Sequence, residues 1–417
     1  MTELPRQGPR PLALHMAITL TVLLSSPAGL PFLRSGSLSW SPALRDRASE
    51  FASRLAAAER NAATAGGGGS GRFTEALDRE VRRRLGLFLE GLERYRHHPY
   101  RRDLEDPPVL WSEGGSRLLD YGGGGRPVLF VPSLVNRAYI LDLSPQRSLL
   151  RWLPSQGVRP LLLDWGMPGA LERRYTLTDY VAGRLERALD AAVQNVGGPV
   201  AAVGYCMGGM LATALAIRRP HEVNALGLMA TPWDFAGDNA ATARLSAQFI
   251  TMFGPMLDAW GELPVDMLQA MFTQVNPLLA LRKFCQLGRL EATSANAINF
   301  IALEDWLNDG IPLVAAVTRD CLAGWYGRND PALGNWLIAG LPVDPARVRA
   351  PTLALIPSND SIVPPASAMA LARAIPGAET LMPPLGHIGM VVSAGAKAAV
   401  WRPLAAWLSR REESIRR

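Results

Sequence analysis

Seven consecutive residues, Val203-Gly204-Tyr205-Cys206-Met207-Gly208-Gly209, constrain the fold of this chain more than any other feature. They follow a short apolar run, Val200-Ala201-Ala202-Val203, that reads as a strand. They open an Ala-rich stretch, Met210 to Ile217, that reads as a helix. A strand that turns directly into a helix holds the residue at the turn in strained backbone geometry. Its neighbours must then be small, and Gly204 and Gly208 flank Cys206 symmetrically. The turn presents the sulfur of Cys206 at the start of the next helix, beside amides with no intrahelical partner. The Met207 amide is then placed to donate to an oxyanion. The competing reading is a buried structural cysteine beside a glycine-rich turn.

The surrounding pattern supports a strand-to-helix turn inside a larger sheet. Short apolar runs at 128–131, 161–163, 200–203, 225–228, 352–356 and 379–381 alternate with helical segments. Runs that are apolar on both sides and separated by helices indicate a mostly parallel sheet covered on both faces. The alternation breaks between 236 and 345, where Phe, Met, Leu and Trp recur at helical spacing. That stretch is expected to be a helical cap inserted between two strands. Cys285 and Cys321 fall within it and read as small buried residues.

Ahead of the sheet, residues 1–72 read as a helical and apolar extension ending in the linker-like Gly66-Gly67-Gly68-Gly69-Ser70-Gly71. Residues 73–120 hold an amphipathic helix, with Phe73, Leu77, Val81, Leu85, Phe88, Leu89 and Leu92 on one face, and a lead-in to the core. The expected organisation is therefore extension (1–72), amphipathic helix (73–120), first core part (121–235), cap (236–345) and second core part (346–417). In the extension, the run Leu12 to Leu24 follows Arg6 and Arg10 in the manner of a secretory signal. His15, Thr19 and Thr21 interrupt it, which favours a helix packed on the protein or on a membrane surface.

An elbow of this kind, strand before and helix after, resembles that of the α/β-hydrolases, with Cys where Ser is commoner. In that fold an acid and then a histidine follow the nucleophile along the chain. Asp360 follows the strand at 352–356, and His387, in Leu385-Gly386-His387-Ile388-Gly389, follows the strand at 379–381. Of the five histidines, His15 lies in the apolar run, His97 and His98 end a basic helix, and His221 ends another. Only His387 occupies a loop after a core strand. A second oxyanion donor is expected from the loop Pro132-Ser133-Leu134-Val135-Asn136, with the Val135 amide favoured.

Charge and cysteine content exclude other classes. The net charge is +6, and all but two of the 43 cationic residues are arginines, scattered along the chain without an aromatic nucleic-acid module. No nucleic-acid partner is expected. Cys206, Cys285 and Cys321 have neither a disulfide framework nor metal-ligand spacing, so a reducing compartment is expected and no metal.

The chain also resembles a known family, the polyhydroxyalkanoate synthases. The similar segments are 131–143 (Val-Pro-Ser-Leu-Val-Asn-Arg-Ala-Tyr-Ile-Leu-Asp-Leu), 148–153, Asp164-Trp165-Gly166-Met167-Pro168-Gly169, the cysteine box at 204–209, and Thr231-Pro232-Trp233-Asp234-Phe235. Together they cover 120–240 closely, and Asp360 and His387 less closely. The resemblance implies an acyltransferase that polymerises (R)-3-hydroxyacyl-CoA into polyester and releases CoA, with the thioester as substrate and no cofactor. It implies that Cys206 carries the acyl chain as a thioester, that His387 is the general base and that Asp360 orients it. It further implies action in the cytoplasm at a granule or membrane surface on the growing polyester, as a homodimer or with a synthase partner subunit. Two alternatives stand beside it: a thioesterase or intracellular polyester depolymerase using the same three residues with water as acceptor, and a non-catalytic granule-surface protein.

Overall fold

The computed structural model describes residues 5–40, 42–64, 69–236 and 240–416. Its residues divide into two compact units, 1–100 with 269–304, and 101–268 with 305–417.

The first unit is helical. α1 (Leu12–Ser25), α2 (Leu30–Arg34), α3 (Pro42–Thr64) and α4 (Gly69–His97) run in succession. The apolar stripe of α4 supplies Val81, Phe88 and Leu92 to a buried cluster that also contains Leu281, Phe284, Leu287, Ala297 and Ile301. Gly91 makes the approach close, since a Cβ there would lie 2.0 Å from the Phe284 carbonyl oxygen. Residues 269–304 therefore belong to this unit, which divides the stretch expected as one cap, 236–345. The physical reason is the stripe itself, which needs an apolar partner, and the helices Leu279–Leu287 and Ala295–Asn308 provide it.

The residues of α1 share this cluster: Leu23 is in it, and Leu12 and Met16 pack against it. Of the polar interruptions of the run, His15 and Thr19 are buried as well, while Thr21 is exposed. Among the described residues no helix is long and apolar enough to cross a membrane. Of the expected glycine linker, 66–68 lie outside the described residues, and Gly69-Ser70-Gly71 form the first turn of α4. Once a helix is nucleated each added residue gains a hydrogen bond, which carries the helix into sequence of poor propensity.

The second unit holds an eight-stranded sheet: β1 (Val109–Glu113), β2 (Ser116–Asp120), β3 (Arg126–Val131), β4 (Val158–Asp164), β5 (Val200–Tyr205), β6 (Val223–Met229), β7 (Thr352–Leu355) and β8 (Glu379–Leu381). Their order is β1-β2-β4-β3-β5-β6-β7-β8. From β4 to β8 all pairs are parallel, and the pairs β1–β2 and β2–β4 at one edge are antiparallel. All six expected strands are present. The hairpin β1–β2 was not expected, although Gly114-Gly115 between Glu113 and Ser116 is a strong signal for a two-residue turn.

All six residues of β5 are buried, which is why its sequence shows no polar alternation. α5 (Met207–Arg218) leaves β5 directly, and ten of its twelve residues are buried. The chain leaves the sheet after Met229 and rejoins it at Thr352; within this unit it forms the helix Ala240–Trp260 and a π-helix, Asp320–Arg328, between those points.

Candidate active site

Cys206 sits between β5 and α5 with φ 55° and ψ −127°. An L-residue adopts this geometry only where its surroundings over-determine it. Three contacts do so. The Cys206 amide donates to the Met229 carbonyl at 2.8 Å, tying the turn to β6. A Cβ on Gly204 would lie 2.3 Å from the Gly209 Cα, and one on Gly208 would lie 2.1 Å from the Val131 carbonyl oxygen. The glycines thus let strand, turn and helix close on one another and on the end of β3.

His387 and Asp360 come together at the C-terminal edge of the same sheet. The His387 Nδ1 donates to Asp360 Oδ2 at 2.7 Å, and the two side chains are buried. The other carboxylate oxygen accepts the amides of Ile362 at 2.8 Å and Val363 at 2.9 Å. Three donors therefore fix the carboxylate, and the carboxylate fixes the imidazole tautomer and ring plane. Tyr205, one residue before Cys206, donates its hydroxyl to the His387 carbonyl at 3.1 Å, and the two rings lie 5.3 Å apart. The backbone that carries the histidine is thereby anchored to the strand that carries the cysteine.

Electrostatics couple the three. Burial works against a charged His387, but negative charge at Cys206 and the Asp360 carboxylate outweigh it and push its pKa up to about 10. The phenol of Tyr205 is pushed far above its usual range by complete burial, then by charge at Cys206 and Asp360. It serves as a hydrogen-bond donor only. The other thiols are in a different situation: burial pushes up both Cys285 and Cys321, and Asp320 adds to the effect at Cys321. Burial likewise lowers His15.

The two expected oxyanion amides differ. Met207 opens α5, so its amide has no intrahelical acceptor. The Val135 amide instead donates to Ser133 Oγ at 3.0 Å. A serine hydroxyl reaches the amide two residues on in a local turn, a competition that the loop sequence does not reveal. The loop is held at both ends by indoles: Trp165 Nε1 donates to the Pro132 carbonyl at 3.0 Å, and Trp306 Nε1 to the Arg137 carbonyl at 2.8 Å. Among the described residues no group of three or more His, Cys, Asp or Glu side chains is placed to hold a metal ion.

Sequence reasoning passed over Asn329. This residue ends the π-helix at φ 58°; its Nδ2 donates to Asp234 Oδ1 at 2.9 Å and its Oδ1 accepts the Phe235 amide at 2.9 Å. An Asn that ends a helix in left-handed geometry is a recognisable signal, but its long-range partner is not.

A family model described as the alpha/beta hydrolase fold matches residues 126–394. Several curated relatives carry the name poly(3-hydroxyalkanoate) polymerase subunit PhaC. The protein from Synechocystis is 32% identical over 296 residues, covering 69% of this chain and 78% of the relative. That from Allochromatium vinosum is 30% identical over 290 residues, covering 68% and 81%. That from Haloferax mediterranei is 30% identical over 315 residues, covering 73% of this chain and 64% of the relative, a little under two thirds of its length. Such extended matches, on a sheet whose strand order and cysteine elbow have the hydrolase form, show that the chain belongs to the α/β-hydrolase fold family and, within it, to the poly(3-hydroxyalkanoate) polymerases, as a divergent member.

Proposed function

We propose that this protein transfers (R)-3-hydroxyacyl groups from CoA thioesters to a growing polyester, with Cys206 as acyl carrier. The observation that carries the reading is the pairing of a cysteine in elbow geometry with a histidine whose charged form is favoured by that cysteine and by Asp360. A thiolate–imidazolium pair suits thioester exchange, because the attacking and leaving groups are both thiolates.

In this reading the Cys206 sulfur attacks the thioester carbonyl and the C–S bond to CoA breaks. The proton on His387 goes to the departing CoA sulfur. The enzyme then holds the acyl group as a thioester beside a neutral imidazole. His387 takes the proton of the 3-hydroxyl of an incoming hydroxyacyl group, whose oxygen attacks the carbonyl and releases the Cys206 sulfur. An ester bond has formed and the imidazolium is restored. Asp360 holds His387 in the same tautomer through both transfers. The CoA thioester is the substrate and no cofactor takes part.

An insoluble polyester product places the working enzyme at a granule surface in an acyl-CoA-containing cytoplasm. The word "subunit" in the relatives' names supports a working form that includes a second chain, either another copy or a partner subunit.

The test is CoA release from (R)-3-hydroxybutyryl-CoA by the purified protein, with mass analysis of the acyl product. Ester oligomers are expected. Free 3-hydroxy acid alone would make the protein a thioesterase, and no CoA release, alone or after addition of a synthase partner subunit, would overturn the reading.

A further inference from the structure

Acyl transfer through a tetrahedral intermediate needs donors aimed at the developing oxyanion, ordinarily two. The Met207 amide supplies one. The amide expected to supply the other, that of Val135, is engaged with Ser133 Oγ. A donor from elsewhere at the C-terminal edge of the sheet would complete the site.

Tyr326 is placed there. It lies in the π-helix Asp320–Arg328, a wide-turned segment of the kind that recurs at functional sites. The helix is clamped to the loop after β6 by Asn329, through Asp234 and the Phe235 amide. The Tyr326 ring packs edge-on against Phe235, with centroids 4.8 Å apart and planes at 64°. That loop leaves β6 at Met229, the residue whose carbonyl accepts the Cys206 amide. Tyr326 is half-buried, and among the described residues its hydroxyl has no hydrogen-bond partner. Burial, and then charge at Cys206 and Cys321, raise the phenol above its usual range, so it keeps its proton.

We propose that Tyr326 is a catalytic residue whose phenolic O–H donates to the oxyanion formed when a thioester carbonyl is attacked by Cys206. This rests on the assignment of Cys206 as acyl carrier under the proposed function. No bond is made or broken at Tyr326: the hydrogen bond tightens as negative charge gathers on the carbonyl oxygen and relaxes when the thioester re-forms.

The test is Tyr326→Phe, which keeps the ring and its contact with Phe235 and removes only the hydroxyl. Two reactions of Cys206 are compared in parent and variant: acylation by a chromogenic aryl thioester, which passes through an oxyanion, and alkylation by iodoacetamide, which does not. Acylation is expected to fall about 10²-fold, the scale of losing one oxyanion donor, with alkylation and melting temperature unchanged. Acylation within twofold of the parent would overturn the proposal. So would equal losses in both reactions, which mark a structural role. If Cys206→Ala were acylated as fast as the parent, the cysteine assignment and this proposal would fall together. The aryl thioester requires neither CoA nor polymerisation. A parent that it acylates but that releases no CoA from (R)-3-hydroxybutyryl-CoA would therefore count against the polymerase reading, while the Tyr326 comparison still decides this one.

Discussion

Gly208→Ala tests whether the elbow is held by close packing. The position is the second residue of α5, where Ala in place of Gly ordinarily stabilises a helix by about 0.5–1 kcal/mol. Here the added Cβ would meet the Val131 carbonyl oxygen at 2.1 Å and the Pro132 carbonyl carbon and oxygen at 2.6 Å. Ordinary contact begins near 3.4 Å, so backbone must move by about 1.3 Å. Neither side yields easily. Val131 ends β3 in register with Gly204, and the Pro132 carbonyl is held by the Trp165 indole. Overpacking of this kind costs about 1–3 kcal/mol, which outweighs the propensity gain. The displacement falls between Cys206 and the loop after β3; with Cys206 as the proposed acyl carrier, a shift of about 1 Å there costs on the order of 10²-fold in rate. Thermal unfolding and acylation by an aryl thioester read the two effects. Gly86→Ala in α4, where a Cβ would meet nothing within 4 Å, is the control and should be neutral or stabilising. A Gly208→Ala protein as stable and as fast as the parent would refute the packing account of the elbow.

Cys206→Ala should abolish acyl-enzyme formation, read by mass analysis of the intact protein after thioester addition; Cys206→Ser should slow it by orders of magnitude, because a hydroxyl is almost wholly protonated near neutral pH. The raised pKa of His387 has a defined sign for stability. The folded state favours the charged ring, so the stabilisation is full below about pH 6.5 and is lost as pH rises toward about 10. Denaturant titrations across that range should show the parent losing more stability than Cys206→Ala, which lacks one of the charges that raise the pKa, and equal slopes would count against the coupling. Asp142→Ala should cost about 2–4 kcal/mol, measured by urea unfolding. That carboxylate is fully buried between Arg102, Arg151 and the Tyr121 hydroxyl, while the two guanidinium groups keep partial access to water and lose less than wholly buried ions would.

What the sequence made legible follows from how local each feature is. The parallel strands are fully apolar runs because both faces of the sheet are covered, and β5 shows this at every position. The elbow is legible because its demands, a bent nucleophile and small neighbours, fall on adjacent residues. Asp360 and His387 were legible by order along the chain, and the structure brings them within 2.7 Å of each other. Long-range pairings were not. Nothing in the helical stretch after 236 distinguishes the helices that cover the stripe of α4, such as Leu279–Leu287, from those that stay near the sheet, because both are amphipathic or apolar. The partner of the Val135 amide is hidden for the opposite reason: it is a very local bond to Ser133, two residues away.

The segments that carry the family resemblance serve two different ends in this structure. Cys206 is the proposed acyl carrier, whereas Trp165, Asp142 and Asp234 act by holding backbone. Trp165 fixes the Pro132 carbonyl. Asp142 ties Arg102, Arg151 and Tyr121 to the segment just beyond the loop after β3. Asp234 receives the Asn329 amide and so locks the π-helix that bears Tyr326 to the end of β6. Each is a polar group with buried or half-buried partners, so replacing one strands the others, a penalty of about 1–3 kcal/mol for each unsatisfied group. Polar residues that hold loops at the edge of a sheet are thus under the same constraint as the elbow itself. Oxyanion stabilisation depends on donors arranged in advance, and a loop free to move would have to be ordered at every turnover.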